Sequence, residues 1–371
     1  MKKIQGNILK KLGQVHLNGL LERVYNPLNL KAKLFHSRNL AKKMTRKARK
    51  ELGRKVVTPA LHRQIKEYAR EYFGSSSYWP WLVYFTEVRG SFHEGWIPSD
   101  FYVHHLSKKL NPEMVSHLSF CKSFDHRLFG TFSIPPLMFR THGMFYDADC
   151  RIMDTGQAVN LIRQIPGEVV IKKEQGKKGR GILFIDSKEV NPELLLAHDE
   201  YLIQEAVEQH PYMNALNPAS INTVRITTFL EHDGNISVKY SGVRIGGAGK
   251  RTDNVSTGGF FVFVNDEGEA LAGACSETGV ELYDRHPVTG FQFRELRLPW
   301  YKKAVEQCRQ SHRSYPYVRC VGWDVFFDLE GRPRLLEWNG RLPGYRLAEM
   351  YIGPLWELDE VRAMIDQYGL H

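Results

Sequence analysis

Cysteine is scarce in this chain and is not spaced for pairing. The 371 residues hold five, Cys121, Cys150, Cys275, Cys308 and Cys320, odd in number, far apart and without a CxxC pair. That argues against a disulfide framework and a cysteine zinc site, and for a reducing compartment. No apolar run approaches the roughly 18 residues of a membrane span, and the N-terminus lacks the apolar stretch of a secretory signal. A cytoplasmic location is expected. No GK[ST] element opens a helix, so there is no Walker A loop. Internal repeats, low-complexity segments and nucleic-acid-binding motifs are lacking as well. The 15 histidines are scattered, and no Ser–His–Asp or Cys–His constellation emerges.

Acidic residues are nearly missing from the first 70 positions, which carry 19 Lys and Arg against three Asp and Glu. The remaining 301 residues carry 32 against 38, so the basicity belongs to the N-terminal region alone. There Ile8, Leu9, Leu12, Leu20, Leu21 and Val24 recur at helical spacing, and a dense basic run, Lys42–Lys50, follows. Three readings stay open: a solvated helical appendage packed on its own domain, peripheral contact with an anionic membrane at its inner face, and nucleic acid. The last is disfavoured because no accompanying motif is present.

What is present is a hairpin pattern from Gly322 to Gly340. Apolar runs flank Glu330-Gly331, a dipeptide suited to a two-residue turn. In that register Leu329 faces Arg332, Asp328 faces Pro333, and Asp324 faces Glu337. Period-2 alternation adds Asn339 to the Glu337 face and gives Trp323, Val325, Phe327, Leu336 and Trp338 to an apolar face. Directly opposed like charges repel, so a positive group is expected between the carboxylates. A solvated acidic sheet face is the plain alternative. Oxygen donors from Asp324, Glu337 and Asn339 suit a hard divalent cation, Mg²⁺.

Upstream, a β-branched strand ends in Lys172-Lys173, and a loop carrying Gly176, Gly179 and Gly181 turns back into a second apolar strand. Such glycines let backbone N–H groups approach an anion closely. The strand Tyr201–Val207 follows and is suited to present backbone groups to a flat base edge. Helices are expected over 122–129, 191–198 and 299–313. Strands are expected over 167–172, 182–186, 201–207, 222–230, 236–245, 259–264 and 269–275. The pattern is α+β with antiparallel sheets.

The order of lysine strand, Gly-rich flap, Gln204-Glu205 hinge, Arg-bearing strand, Asn-x-x-x-Gly-Gly and Asp…Glu-x-Asn resembles the ATP-grasp fold. Ser220–Arg225 and Asp253–Gly259 most resemble its sugar-transfer-associated family, over roughly residues 115–345. The resemblance implies two α+β subdomains clasping ATP, preceded by the basic helical region. Expected boundaries are 1–75 for that region, 76–125 for a connecting segment, 126–206 for the lid subdomain and 207–371 for the metal-bearing subdomain. Lys122 and Lys172 would contact nucleotide, Lys172 at the α/β-phosphates. Strand alternation lets only one of Lys172 and Lys173 point inward. Gln204, Glu205 and Val207 would line the adenine, with Glu208 or His210 at the ribose. Arg225 sits centrally in an apolar strand, where an unpaired charge is costly, so a transferred phosphoryl or a substrate carboxylate is expected beside it. Arg244 and Arg251 would serve the same intermediate, and Asn254 matches the family's asparagine. Mg²⁺ would lie at Asp324, Glu337 and Asn339.

The implied activity is ATP-dependent ligation of a carboxylate to an amine through an acyl phosphate. The expected partners are a sugar acid or polysaccharide precursor and an amino acid. A kinase acting on a sugar hydroxyl and a non-catalytic nucleotide-dependent adaptor are the alternatives.

Overall fold

The computed structural model describes residues 28–176, 181–247, 255 and 258–370. The expected stripe over residues 8–24 and the sites at Gly179, Arg251 and Asn254 lie outside the described residues. By packing, the chain divides into two units: Ser107–Trp356, and the residues up to Leu106 together with Glu357 onward. The stretch from Glu357 therefore groups with the N-terminal unit, whereas the sequence reading carries the last subdomain to residue 371.

The N-terminal unit is helical. A helix over 28–52 is fixed by two ion pairs whose acids are buried: Arg38 with Asp100 at 2.9 Å and Arg49 with Glu87 at 2.7 Å. Glu87 also accepts from the N–H groups of Val56 and Val57, so its charge is fully engaged. The next helix, Pro59–Phe73, starts where the Thr58 side chain accepts from Leu61 N–H, and stops at Gly74 in the left-handed region. In the same unit Arg362, on helix Leu358–Tyr368, donates to the Tyr72 hydroxyl at 2.7 Å. Among the described residues no helix is long and apolar enough to cross a membrane.

The Ser107–Trp356 unit holds two antiparallel sheets. One contains β1 (Met138–Thr141), β2 (Met144–Asp147), β3 (Ile152–Met153), β4 (Glu168–Lys173), β5 (Ile182–Asp186) and β6 (Tyr201–Glu205), in the spatial order β3-β2-β1-β6-β4-β5. The other contains β7 (Thr223–Leu230), β8 (Ile236–Ile245), β9 (Phe260–Val264), β10 (Ala274–Cys275), β11 (Leu282–Tyr283), β12 (Cys320–Phe327) and β13 (Pro333–Asn339), in the order β11-β10-β9-β8-β7-β12-β13. Of the strand expected over 269–275 only β10 forms, because Ala270 N–H turns to the carbonyl of Leu296. Behind the second sheet the helix Tyr301–Ser314 buries Tyr301, Ala304, Val305 and Cys308, one helical stripe, against Val224, Ile226, Trp323 and Val325. Residues alternating with that apolar set are thereby turned to the opposite face.

The hairpin closing this sheet corrects the expected turn. Its loop has three residues, Leu329–Gly331: Gly331 N–H bonds the Asp328 carbonyl, and Asp328 N–H bonds the Arg332 carbonyl. Gly331 has φ +72° and lies against Trp300, where a Cβ would come within 2.4 Å of the indole. Only glycine combines that conformation with that contact. Phe327 therefore faces Pro333, one residue out of the expected register. A bulge between Asp324 and Val325 then restores it, so Asp324 does face Glu337, as Trp323 faces Trp338. The bulge puts Leu335 rather than Leu336 into the core.

Candidate active site

The charged residues of the second sheet's polar face come from four adjacent strands. Arg225 on β7 is the cross-strand partner of Asp324 on β12, so the two share a face. Their contact is bidentate, Nε to Oδ1 at 2.7 Å and Nη2 to Oδ2 at 2.9 Å. Arg244, on β8, reaches past β7 to put Nη1 2.9 Å from Asp324 Oδ2. From β13, Asn339 Nδ2 donates to the same Oδ2 at 3.2 Å and to the Gly322 carbonyl at 3.3 Å. Burial pushes the Asp324 carboxyl up, but Arg225 and then Arg244 outweigh it and hold the group at about 2. Asp324 is thus an anion beside Arg225, a partner that the sequence reading did not name. The positive groups at the two carboxylates are likewise side chains: two guanidiniums at Asp324 and, at Glu337, Lys122, with Nζ 3.7 Å from Oε1.

Lys122 is an interior lysine with its side chain 13% exposed. It donates to the carbonyls of Glu174 and Gly176, while Ser123 donates to the Glu174 carboxylate through N–H and hydroxyl. The start of the Gly-rich loop is thereby tied beside Glu337. Gly181 ends that loop at φ +78°, against the stem of Lys173. Of the two lysines ending β4, Lys172 turns inward and Lys173 is exposed. Lys172 Nζ bonds Gln204 Oε1 at 2.8 Å, and Gln204 Nε2 is held by the Ile134 carbonyl. Burial lowers Lys172 to about 8, with Glu337 pulling the other way. Glu337 itself is raised by burial, against Lys122.

At the end of β6, Ala206 N–H bonds the Glu168 carbonyl. Alternation turns the neighbouring backbone groups the other way, and among the described residues the backbone of Val207 has no partner. Glu205 and Glu208 are exposed. His210 is committed elsewhere: its Nδ1 accepts from Tyr212 N–H at 3.1 Å to cap the helix Pro211–Leu216, and its ring sits 4.3 Å from Trp300. The cap engages Nδ1 of His210 and not Nε2.

Sequence reasoning missed three supports. Asp125 is buried, accepts from Trp338 Nε1 at 2.9 Å and is pushed by burial up to about 8. Asn111 uses its whole amide, donating to the carbonyls of Cys320 and Gly340 and accepting from Arg319 and Cys320 N–H. Tyr240 donates to the Gly344 carbonyl. Partners between 104 and 229 positions away leave no local pattern for these residues.

A hard divalent cation fits this face on its donor chemistry. Glu337 accepts no hydrogen bond among the described residues, and Asn339 spends its NH₂ on Gly322 and Asp324, which leaves Oδ1 as its acceptor. Asp324 supplies the second carboxylate, but with its oxygens already engaged by Arg225, Arg244 and Asn339. Four basic side chains, Lys122, Lys172, Arg225 and Arg244, stand against three carboxylates, Asp324, Glu337 and Glu174. Such a balance repels a bare cation and favours one that arrives with a polyphosphate.

The model of the sugar-transfer associated ATP-grasp family matches residues 133–355. Among the curated proteins compared, none matches. Among solved structures, the biotin carboxylase of Campylobacter jejuni in its β,γ-ATP complex is 12% identical, with 71% of this chain and 49% of that one covered and a TM-score of 0.40. The ATP-grasp ligase PsnB with its minimal precursor is 16% identical, covering 69% and 63%, with a TM-score of 0.38. For N5-carboxyaminoimidazole synthetase from Staphylococcus aureus with ADP the values are 10%, 64%, 45% and 0.34. The chain thus spans between 45% and 63% of the length of these solved structures. Matched over more than half of its 371 residues, the chain belongs to the sugar-transfer associated ATP-grasp family.

Proposed function

We propose that the protein is an ATP-dependent carboxylate–amine ligase that acts on a sugar acid or polysaccharide precursor and an amino acid. The observation that carries this is the cationic face assembled by Lys122, Lys172, Arg225 and Arg244 beside Glu337 and Asn339. A carboxylate is a poor electrophile, and transfer of the γ-phosphoryl of ATP turns it into an acyl phosphate open to an amine. That transfer needs positioning and charge neutralisation more than covalent help. Lys172, oriented by Gln204, and Lys122 bind phosphate oxygens. Arg225 and Arg244 neutralise charge on the transferring group. The Val207 backbone pairs with the adenine edge. The Gly-rich loop, tied at Glu174 and Gly176 by Lys122, excludes water that would hydrolyse the acyl phosphate. Mg²⁺, when bound, neutralises phosphate charge. Glu337 and the Asn339 carbonyl would hold it, and Asp324 would join them as a guanidinium passes to the nucleotide.

Two results follow from the charge balance. Mg²⁺ alone should leave the melting temperature unchanged, whereas Mg²⁺ with a non-hydrolysable ATP analogue should raise it by mass action on the folded state. A rise with Mg²⁺ alone would mean that Asp324 and Glu337 form a site without nucleotide. The second result concerns pH. Lys172 binds phosphate only when protonated, and its value in the free chain lies near 8. Analogue affinity should therefore fall as pH rises through about 8, and Lys172→Arg should remove that fall. An affinity flat to pH 10 in the unmodified chain would place Lys172 away from the phosphates.

The reaction itself is tested by ATP turnover with uronic acids, alone and with amino acids. ADP, phosphate and a new amide support the ligase. ADP with a phosphorylated sugar and no phosphate release would make the protein a kinase. No acceptor-dependent turnover would remove both.

A further inference from the structure

The helix over 28–52 carries nine basic residues and a single acid, Glu51. Arg38 and Arg49 face the unit's interior and are matched by the buried carboxylates of Asp100 and Glu87. Lys47 is paired with Glu51 at 3.3 Å, and Lys42 lies over the Trp79 ring. The buried positions Ala41, Thr45 and Ala48 mark the packed side. Opposite them runs an exposed ridge at helical spacing: Leu28, Ala32, Phe35, Asn39, Lys43, Arg46 and Lys50. Its first half is apolar, with Leu28 59% and Phe35 68% exposed; its second half is basic, and no acid lies on it.

We propose that this ridge docks on an anionic lipid bilayer, with Leu28 and Phe35 entering the boundary between headgroups and acyl chains and Lys43, Arg46 and Lys50 lying among the phosphate-bearing headgroups. Charge complementarity selects an anionic surface. The exposed phenylalanine and leucine select a bilayer over a nucleic acid, whose phosphates would match the lysines but leave the apolar half in water. Helix-facing basic residues are held by internal acids, so the cations on the ridge remain available to lipid.

The test is co-sedimentation of the full chain with phosphatidylcholine vesicles, with and without phosphatidylglycerol, at low and high salt. Binding should require the anionic lipid and weaken with salt, since the Debye length shortens. A near-surface basic residue contributes roughly five-fold in affinity, so Lys43→Glu/Arg46→Glu/Lys50→Glu should lose about 10²-fold or more. Phe35→Ser should lose roughly ten-fold at unchanged melting temperature, while Lys302→Glu/Lys303→Glu should bind like the unmodified chain. The proposal is overturned by no sedimentation at low salt, or by binding that survives the triple substitution or Phe35→Ser. It is also overturned if Phe35→Ser lowers the melting temperature without vesicles, because the ridge would then be covered by the chain itself. Retention on single-stranded RNA through the same three residues, without vesicle binding, would replace lipid by nucleic acid.

Discussion

Exchanging Glu337 for glutamine is expected to lower Mg²⁺-dependent ATP turnover by roughly 10²-fold or more while leaving the fold intact. A metal ligand supplies several kcal/mol of charge stabilisation in phosphoryl transfer, and each 1.4 kcal/mol is about ten-fold in rate. The substitution keeps size and removes only the charge. Burial raises the Glu337 carboxyl above its ordinary value, so the ionised form is disfavoured by folding and the penalty is relieved as pH falls through the raised value. A neutral amide carries no such penalty, and the melting temperature without ligand should be unchanged or slightly higher. Lys122 loses a counter-charge at 3.7 Å but keeps its two carbonyl acceptors. Turnover like that of the unmodified chain would remove Glu337 from the cation site. A large fall in melting temperature would instead make it a structural partner of Lys122.

The facing pair Asp324 and Glu337 matches the sequence reading because two one-residue departures cancel. The sequence suggests a two-residue turn at Glu330-Gly331, and the chain makes a three-residue loop with Gly331 at positive φ. The resulting one-residue offset is cancelled by the bulge before Val325. Glycine's freedom marks where the chain turns but not how many residues the loop holds. Alternation let only one of Lys172 and Lys173 point inward without saying which, and in β4 it is Lys172. The hairpin of β1 and β2 went unread although His142-Gly143, both at positive φ, is a two-residue turn between short apolar runs. Gly143 was the available signal.

The partners across the sheet were not legible. The cost of burying Arg225 correctly demanded an anion, but nothing local says whether that anion is substrate or an aspartate 99 positions away. Arg244 adds a second cation from 80 positions away, and strand order alone brings it there. His210 has a partner that the sequence did not show: the helix that Pro211 opens takes one of its two ring nitrogens, Nδ1, as a cap.

Asp324→Leu is expected to be the most destabilising single change in this face. It leaves the Arg225 guanidinium, its side chain only 13% exposed, without its bidentate partner, and takes one anion from Arg244 as well. Breaking a buried pair by removing one partner costs about 3–5 kcal/mol. At roughly 2–4 °C per kcal/mol for a unit of this size, the melting temperature should fall by about 6–20 °C. Adding Arg225→Met should restore part of that loss, because one of the two guanidiniums that Asp324 neutralised is then gone. Neither variant should turn over ATP, so the cycle separates stability from chemistry. The nucleotide gives an independent reading. Without Asp324 the Arg225 guanidinium loses its bidentate partner, and an ATP analogue without Mg²⁺ should raise the melting temperature of Asp324→Leu at least as much as that of the unmodified chain. Arg225→Met should cut that ligand-induced rise. If Asp324→Leu melts within a degree or two of the unmodified chain, or the double variant shows only the sum of the two single effects, the arginines do not hold Asp324 in solution.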